Sequence, residues 1–576
     1  MLLQKFAAMP SKAQGGGVFY EELRKNFEIR VPERFNFVRD VVDVYAQSEE
    51  ERRALVWCDD AGNSITFSFN DLASESARTA HFLTALGIKK GDAVMLILRR
   101  RYEFWFFLLA LHRIGAIAVP ATNMLLKEDI AYRADMAGIK LLVTLEDEIL
   151  QNEAENALLK NKCELVTTGK PRSGWLSFEQ GGVTRDGRAI QGYKSYSDLW
   201  TEPQKNDEIK NSDTMLLYFT SGTSGHPKMV AHNFTYPLGH IVTAKYWQNV
   251  VDGGLHLTVA ETGWAKAMWG KIYGQWLCGS AVFVYDMLAF KPALLLEKMA
   301  RYKVTTFCAP PTVYRYLGRQ DLSVYDLSSL KHCTTAGEAL EPELAKRWRE
   351  LTGKIIYEGF GQTETTLLVG TFTGMEVRQG SMGKPAPGYD VDIIDNEGNS
   401  CDCDTPGEIV LRLDSGRPFG MFSGYYKEEE LTRATFEGGV YRTGDIARRD
   451  KDGYLWFLSR KDDMIKSAGY RISPFEVESV LSKHPAVMEC AVTGVACPKR
   501  GQAVKATIVL AFGWEPNPAL SRELQEFVKK QTASYKFPRI IEFADTLPKT
   551  ISGKIRRSAI RAIDKISALT SAKNQS

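Results

Sequence analysis

Apolar runs with the length of β-strands alternate with longer runs of helical spacing, and this rhythm restricts the folds open to the chain. A buried strand over 94–98 is followed by a buried helix over 103–114 and a second strand over 116–120. The same order returns further on, with strands predicted at 140–144, 280–285 and 304–309 and a helix at 292–302. Strands that alternate with helices in this way predict a mostly parallel α/β sheet covered by helices on both faces.

Helical spacing also predicts two elements near the start of the chain. One is a surface helix over 36–45. The other begins at Asn70-Asp71 and ends before Gly87, a residue suited to the end of a helix.

The pattern changes after about residue 385, where short strands such as 391–395 are joined by Gly, Asp and Pro turns. The last part of the chain mixes helices with strands and follows a charged segment at 460–463. Because 576 residues exceed what one hydrophobic core usually holds, we expect several domains. The predicted division is an N-terminal domain (1–461) of mixed and parallel sheets that includes a β-rich subdomain (385–461), a hinge at Asp462, and a small α+β C-terminal domain (462–576).

Composition excludes some classes of function. With 73 Lys and Arg against 70 Asp and Glu, the net charge of +3 indicates no nucleic-acid partner. The longest apolar run, 104–111, is too short to cross a bilayer, so no transmembrane segment is expected. Nine scattered cysteines are typical of reduced thiols in an intracellular protein. We expect a cytoplasmic location; residues 1–20, which hold lysines but no acids, leave the mitochondrial matrix as the alternative.

The segment Tyr218–Lys228 places small and hydroxylated residues directly after an apolar strand. Backbone N–H groups and hydroxyls of such a loop can close on an anion, with the lysine as a nearby charge. It departs from the ordinary P-loop pattern because His226 and Pro227 precede the lysine. A flexible surface turn is the alternative interpretation of a Ser/Gly-rich run. The candidate phosphate ligands are Thr220, Ser221, Gly222, Thr223, Ser224, Gly225 and Lys228.

Two later segments have residues suited to a nucleotide. In Tyr357–Thr365, Phe360 stands between two glycines, where an aromatic ring can stack on a purine, and a hydroxyl and a carboxylate follow for phosphate and Mg²⁺. In Tyr441–Asp445 an aspartate follows a glycine turn and can accept hydrogen bonds from ribose hydroxyls. Each of these segments alone also fits a plain turn or core packing.

Five segments, in order, resemble the signature motifs of the adenylate-forming superfamily, which contains acyl-CoA synthetases, firefly-type luciferases and peptide-synthetase adenylation domains. The five segments are Tyr218–Lys228, Tyr357–Thr365, Tyr441–Asp445, Arg460–Ile472 and Leu547–Arg557. With their surroundings they span roughly residues 60–560 and are most like those of medium-chain acyl-CoA synthetases. The resemblance implies catalytic roles for Lys554, Thr363 and Glu364, with Glu364 also holding Mg²⁺. It further implies base and ribose contacts at Gly337, Glu338, Glu358, Gly359, Phe360, Asp445 and Arg460, a hinge at Asp462, and a channel for coenzyme A at Gly469 and Arg471.

The stretch Glu261–Trp269 occupies the place of the acyl pocket, where subfamilies differ. Relatives that activate amino acids place an aspartate there for the substrate amine, whereas this chain offers Lys266, which disfavours an α-amino substrate. If 264–276 is one helix, Lys266 and Trp269 lie on the same face, and bulky indoles shorten the pocket. The predicted wall comprises Trp247, Trp264, Lys266, Trp269 and Cys308 and favours a short or branched acyl group, although tryptophans also commonly fill cores.

The sequence therefore predicts an AMP-forming carboxylic acid–CoA ligase that uses ATP, Mg²⁺ and coenzyme A. Two enzymatic alternatives share the first half-reaction: loading of a carrier protein, and a luciferase-like oxygenase. A non-catalytic nucleotide-binding regulator is the alternative from another class. Assembly into a homo-oligomer is left open.

Overall fold

The structure is a computed structural model, and it supports the predicted α/β class with several mixed and parallel sheets. It describes residues 2–8, 16–158, 163–169, 172–178, 208–220, 227–549 and 555–573. Strands and helices below are numbered along the chain within these ranges.

The first large sheet has eight strands. In spatial order the strands are β21 (Gly424–Tyr425), β11 (Lys228–Asn233), β10 (Thr214–Thr220), β6 (Ile117–Pro120), β5 (Ala93–Ile97), β7 (Ile139–Leu145), β8 (Glu164–Thr168) and β9 (Leu176–Ser177). The β10–β11 and β11–β21 pairs are antiparallel, and all the other pairs are parallel.

The second large sheet has nine strands, of which the six in the middle run parallel. Antiparallel strands close both edges. In spatial order the strands are β18 (Lys384–Pro385), β17 (Leu367–Gly370), β16 (Ile356–Gly361), β15 (His332–Ala336), β14 (Thr306–Cys308), β12 (Leu255–Thr258), β13 (Ala281–Asp286), β3 (Arg53–Asp59) and β4 (Ser64–Ser68).

Three smaller sheets complete the description. A two-stranded sheet pairs β1 (Ala7–Ala8) with β2 (Glu28–Ile29). An antiparallel sheet orders β19 (Val391–Ile394), β20 (Gly407–Arg412), β22 (Val440–Arg449) and β23 (Leu455–Arg460). The last sheet orders β25 (Tyr470–Ile472), β24 (Ile465–Ser467), β27 (Gly501–Leu510) and β26 (Val487–Cys497), with β28 (Ile540–Phe543) beside β27.

Helices cover the large sheets and the last sheet. The α-helices are α1 (Leu3–Phe6), α2 (Gly16–Asn26), α3 (Asp43–Ala46), α4 (Phe69–Ala85), α5 (Glu103–Ile114), α6 (Lys127–Ala137), α7 (Glu148–Leu158), α8 (Tyr236–Val242), α9 (Lys266–Gly270), α10 (Tyr273–Leu277), α11 (Pro292–Arg301), α12 (Pro311–Leu317), α13 (Pro342–Thr352), α14 (Glu429–Thr435), α15 (Pro474–Leu481), α16 (Pro518–Gln531) and α17 (Arg557–Lys573). Segments Val38–Val42 and Thr243–Trp247 are π-helical, and Leu322–Val324 and Glu437–Gly439 are 3₁₀ turns.

Helix α5 lies in the core that the two large sheets share. Its side chains from Phe104 to Leu111 are buried in one cluster with strands of both sheets, such as Val94 of β5 and Val282 of β13. Gly115, with φ 72°, ends the helix in the left-handed conformation that glycine adopts without strain. The predicted helix 103–114 therefore has the bounds found in the structure.

Three helical segments considered in the sequence differ from the structure. The surface helix predicted over 36–45 is instead the π-helical segment Val38–Val42 followed by α3, and Val38, Val41 and Val42 are buried. The condition that 264–276 is one helix is not met: α9 and α10 are separated at Ile272, whose backbone (φ −163°, ψ −78°) is not helical. The helix predicted from Asn70-Asp71 begins one residue earlier, because Ser68 and Asp71 form a reciprocal capping box at its N-terminus. Across the described ranges we find no helix that is both long and apolar enough to cross a membrane.

Candidate active site

A cavity of about 1200 Å³ opens where strands β14, β15 and β16 end. It reaches across to two of the three smaller sheets, the one that contains β22 and the one that contains β26. Ligands of open α/β sheets commonly bind at the carboxyl ends of the strands. Predicted site residues along its wall are Thr220, Lys228, Trp264, Gly337, Glu338, Glu358, Gly359, Phe360, Thr363, Glu364, Asp445 and Arg460. Twelve residues from six separate segments of the sequence thus surround one space.

Other predicted residues lie elsewhere or outside the description. Ser221, Gly222, Thr223, Ser224, Gly225 and Lys554 fall outside the described residues. Ile555, the described neighbour of Lys554, lines the cavity, as does Arg557.

Thr220 and Lys228 face each other at the end of a hairpin. Thr220 closes β10, Lys228 opens β11, and the two are paired across the antiparallel ladder. The Lys228 ammonium lies 4.9 Å from the ring centre of Tyr425. The candidate anion loop therefore joins two adjacent strands whose ends both reach the cavity.

The Glu364 carboxylate lies beside this hairpin. It accepts a hydrogen bond from the Tyr425 hydroxyl at 3.1 Å. Burial raises the pKa of Glu364, and the Tyr425 hydroxyl together with the positive charges of Lys228 and Arg460 offsets part of that rise. A metal ion bound near this carboxylate would favour its ionised form further, so the Glu364 carboxylate suits a metal ligand.

Strand β16 forms one side of the cavity and carries residues that the sequence predicted to contact the base. Glu358 is buried and accepts a hydrogen bond from the Leu340 amide at 3.2 Å. Burial raises the pKa of Glu358 to about 8, so the side chain is mostly protonated at neutral pH. Next to it, the Thr312 hydroxyl donates to Glu338 at 3.1 Å. This side of the cavity is thus less charged than its carboxyl groups suggest.

We expect Glu358→Gln to remove a pH dependence of stability. Because the folded chain raises the pKa from 4.5 to about 8, the folded state keeps a proton that the unfolded state releases in that interval. The free energy of unfolding of the unmodified protein should fall, relative to the variant, as the pH rises from about 4.5 to about 8. Urea unfolding across this range measures the difference; a difference independent of pH would contradict the assignment.

Asp445 and Arg460, the predicted ribose contacts, lie together on another side of the cavity. They are paired directly across β22 and β23, and the guanidinium donates to Asp445 Oδ2 at 3.0 Å. The amide of Gln362 donates to the same oxygen at 2.6 Å. The Tyr441 hydroxyl in turn donates to Gln362 at 2.7 Å. The carboxylate is therefore held from two sides.

Gln362, Tyr425 and Tyr441 were not among the predicted site residues. Gln362 stands inside the predicted nucleotide motif and Tyr441 opens the motif that ends at Asp445, so their positions offered a signal. Tyr425 lies far from any motif and reaches Glu364 only because β21 pairs with β11. Strand pairing of this kind has no local signature in the sequence.

The predicted acyl wall lies mostly behind the cavity surface. Trp264 lines the cavity, whereas Trp247, Trp269 and Cys308 are buried in the adjoining core cluster. The indoles of Trp247 and Trp269 meet edge to face with ring centres 6.2 Å apart, and the Trp247 indole N–H donates to the Glu358 carbonyl at 3.2 Å. The Lys266 ammonium donates to the Ala336 carbonyl at 2.5 Å.

Glycines of β16 leave room for these indoles. A Cβ atom on Gly359 would lie 2.7 Å from Trp247, and one on Gly361 would lie 2.6 Å from Trp269. Such separations are shorter than side-chain carbons tolerate, so the glycines and tryptophans occupy complementary space. These two indoles, which belong to the predicted acyl wall, therefore pack closely against strand β16.

The segments on both sides of Asp462 meet at the cavity. Arg460 Nε lies 3.8 Å from Asp462 Oδ1. Beyond it, Pro474, Phe475 and Glu478 line the cavity, and the Ser473 hydroxyl donates to the Leu458 carbonyl. Gly469, with φ 84°, forms the turn between β24 and β25 and has open space around it, and the backbone of Arg471 pairs with Lys466. Gly469 does not line the cavity in this arrangement, and the side chain of Arg471 lies outside the described residues.

Comparison with known proteins agrees with this site. A model of the AMP-binding enzyme family matches residues 42–426, and one of the AMP-binding enzyme C-terminal domain matches residues 476–554. The human acyl-coenzyme A synthetase ACSM3, mitochondrial, is 39% identical over 556 residues, which cover 94% of this chain and 92% of that protein.

Two solved structures share the fold. One is the anthranilate CoA ligase AuaEII in complex with anthranoyl-AMP, with a TM-score of 0.80 and 29% identity over 94% of this chain and 99% of that chain. The other is the Brucella canis acyl-CoA synthetase, with a TM-score of 0.67 and 32% identity over 92% of this chain and 95% of that chain. The predicted resemblance and the predicted fold class are both confirmed. The chain therefore belongs to the AMP-binding enzyme family of the adenylate-forming superfamily, with medium-chain acyl-CoA synthetases as close relatives.

Proposed function

We propose that this chain is an AMP-forming acyl-CoA synthetase that activates a short, medium-chain or branched carboxylic acid. The observation that carries the proposal is the convergence of five motifs on one cavity, with a cation, a carboxylate and a paired Asp–Arg unit at separate positions on its wall. Relatives named acyl-coenzyme A synthetase, 39–41% identical over more than nine-tenths of the chain, support the same reaction.

In the first half-reaction the substrate carboxylate attacks the α-phosphate of ATP, which forms an acyl-adenylate and releases pyrophosphate. Asp445, held by Arg460 and Gln362, accepts hydrogen bonds from the ribose. Lys228 and the Thr363 hydroxyl stabilise negative charge on the phosphates. Lys554, by its place in the family motif, offsets the repulsion between the two reacting anions.

The site also suits Mg²⁺. Glu364 offers a carboxylate, a hard oxygen ligand that this ion prefers. Among the described residues there is no group of three or more His, Cys, Asp or Glu side chains placed to hold a metal. If Mg²⁺ is bound here, Glu364 would hold it and the ion would neutralise negative charge on the phosphates of ATP.

In the second half-reaction the thiol of coenzyme A attacks the acyl carbonyl and AMP leaves. We propose that the C-terminal domain, residues 462–576, turns about Asp462 to bring Gly469 and Arg471 to the cavity. The open surroundings of Gly469 support a channel there. Close by, the Ala468 amide donates a hydrogen bond to the Arg500 carbonyl. Burial lowers the pKa of Arg539, and the positive charge of Arg500 lowers it further. Two neighbouring guanidinium groups suit the phosphates of coenzyme A.

The acyl wall supports a compact substrate. Trp247 and Trp269 fill the space behind Gly359 and Gly361, and Lys266 stands where an amino-acid substrate would need an acid. As for location, the relatives are named mitochondrial, which favours the matrix over the cytoplasm that the sequence first suggested.

The test is release of AMP and pyrophosphate with Mg·ATP and a panel of straight, branched and aromatic acids, each with and without coenzyme A. We expect AMP only when acid and coenzyme A are both present. Pyrophosphate exchange without turnover on coenzyme A would point to a protein acceptor. Nucleotide binding without any acid-dependent exchange would overturn the proposal in favour of a regulator.

A further inference from the structure

His232 lies on the face of strand β11 that is directed toward the cavity. Residues alternate along a strand, so Lys228, Val230 and His232 share one face. Val230 belongs to the core cluster that includes Tyr425 and Phe422, whereas Met229 and Ala231 belong to the cluster on the other face. Strand β11 therefore presents its lysine and its histidine to the same neighbourhood.

The histidine acts there as a hydrogen-bond donor. Its Nε2 lies 2.9 Å from the carbonyl oxygen of Thr363. A carbonyl only accepts, so Nε2 carries the hydrogen. The side chain is fully buried against Tyr236, with ring centres 3.9 Å apart, and Nδ1 has no hydrogen-bond partner among the described residues. Burial lowers the pKa of His232 to about 3, which keeps the ring neutral and unsuited to acid–base chemistry at working pH.

The bond is made to an irregular segment that carries two groups of the candidate site. Residues 362–366 form neither helix nor strand. Glu364 is held through its carbonyl by the Phe422 amide at 2.8 Å and through its carboxylate by the Tyr425 hydroxyl. Tyr425 lies in β21, the strand that pairs with β11, and Phe422 lies two residues before β21. His232 adds a third contact, from β11 itself, at the residue before.

We propose that His232 is a positioning residue: its neutral Nε2–H holds the Thr363 backbone and so fixes the Thr363 hydroxyl and the Glu364 carboxylate relative to Lys228. This rests on the proposed function, because it assigns Thr363 to phosphate and Glu364 to the divalent cation. A loosened segment would misplace both groups, and small displacements of positioning groups cost much of a rate.

The experiment compares His232→Asn, His232→Gln and His240→Asn. A glutamine amide can reach the Thr363 carbonyl as Nε2 does, whereas an asparagine amide is shorter. His240 is the matched control: it is equally buried and also contacts Tyr236, but neither ring nitrogen has a hydrogen-bond partner within the part of the chain that the structure describes. The readouts are Mg²⁺-dependent pyrophosphate exchange, thioester formation from pre-made acyl-adenylate, and the melting temperature.

For His232→Asn we expect kcat/KM for ATP in pyrophosphate exchange to fall by about 10- to 100-fold. The Mg²⁺ concentration for half-saturation should rise, and thioester formation should change little. His232→Gln should recover most of the loss, and His240→Asn should leave the Mg²⁺ dependence as it is.

Equal losses in both half-reactions, or an unchanged Mg²⁺ dependence, would overturn the inference. If His232→Asn does not fold, His232→Gln decides alone: retained Mg²⁺ dependence supports the donor role, and its loss at an unchanged melting temperature overturns it. Calorimetric binding of Mg·ATP separates the two hypotheses, since it needs no turnover. An unmodified protein that binds Mg·ATP but makes no acyl-CoA refutes the proposed function, while the variants still test His232 by the Mg²⁺ dependence of binding.

Discussion

Lys554→Ala is expected to slow acyl-adenylate formation about 1000-fold while leaving thioester formation from pre-made acyl-adenylate nearly unchanged. The reacting carboxylate and α-phosphate are both anions, and a cation between them stabilises the transition state more than the separate substrates. Lys554 itself lies outside the described residues. Ile555, which follows it, lines the cavity, and Lys549 pairs with Ile555 in an isolated β-bridge and lies 2.9 Å from Glu489.

The two half-reactions are measured separately, by pyrophosphate exchange and by release of AMP from synthetic acyl-adenylate with coenzyme A. Lys565→Ala is the control, because it removes an exposed lysine from helix α17 nearby. Equal loss of both half-reactions in Lys554→Ala would show that the lysine does not act in the first step alone, and would refute the proposed exchange of domain positions.

Trp269→Gly is expected to shift the preferred substrate toward longer acids. The indole is 6% exposed and packs against Gly361 and Trp247 at the end of the acyl space. Its removal opens apolar volume, and each added methylene buried there should improve kcat/KM about fourfold until the space is filled. The variant should also lose roughly 3–5 kcal/mol of stability, since a buried indole leaves a cavity.

A chain-length series of straight acids gives the profile, and the melting temperature confirms that the variant is folded. Trp269→Phe should shift the profile less, because the smaller ring vacates less space. A folded Trp269→Gly enzyme with an unchanged profile would remove Trp269 from the acyl wall and assign it to core packing alone.

Local patterns predicted the elements that local forces determine. The bounds of helix α5 follow from a continuous apolar run and a glycine at its end. The break between α9 and α10 could not be predicted this way. A Cβ atom on Gly270 would lie 1.8 Å from the Thr258 hydroxyl, so the helix end is pressed against strand β12. That constraint comes from a distant strand and leaves no periodic signal.

The candidate site divides in the same manner. Phe360, Asp445 and Lys228 were predicted because each stands in a compact motif that brings its chemistry with it. Tyr425 and His232 were not, since one reaches Glu364 and the other Thr363 only through the pairing of β21, β11 and β10. The groups predicted to touch substrate can thus be identified from sequence motifs, whereas the groups that hold them in place depend on the register between strands.

The contact between Gly361 and Trp269 makes the two positions unequal in evolution. A Cβ atom at position 361 would lie 2.3 Å from the backbone carbonyl oxygen of Thr366 as well as 2.6 Å from the indole, so a smaller residue at 269 does not by itself admit a side chain at 361. Position 269 can therefore change while position 361 stays glycine, and the space that a smaller residue leaves beside strand β16 is open to a longer acyl chain. Homologues that use other acids should vary at 269 and keep glycine at 361.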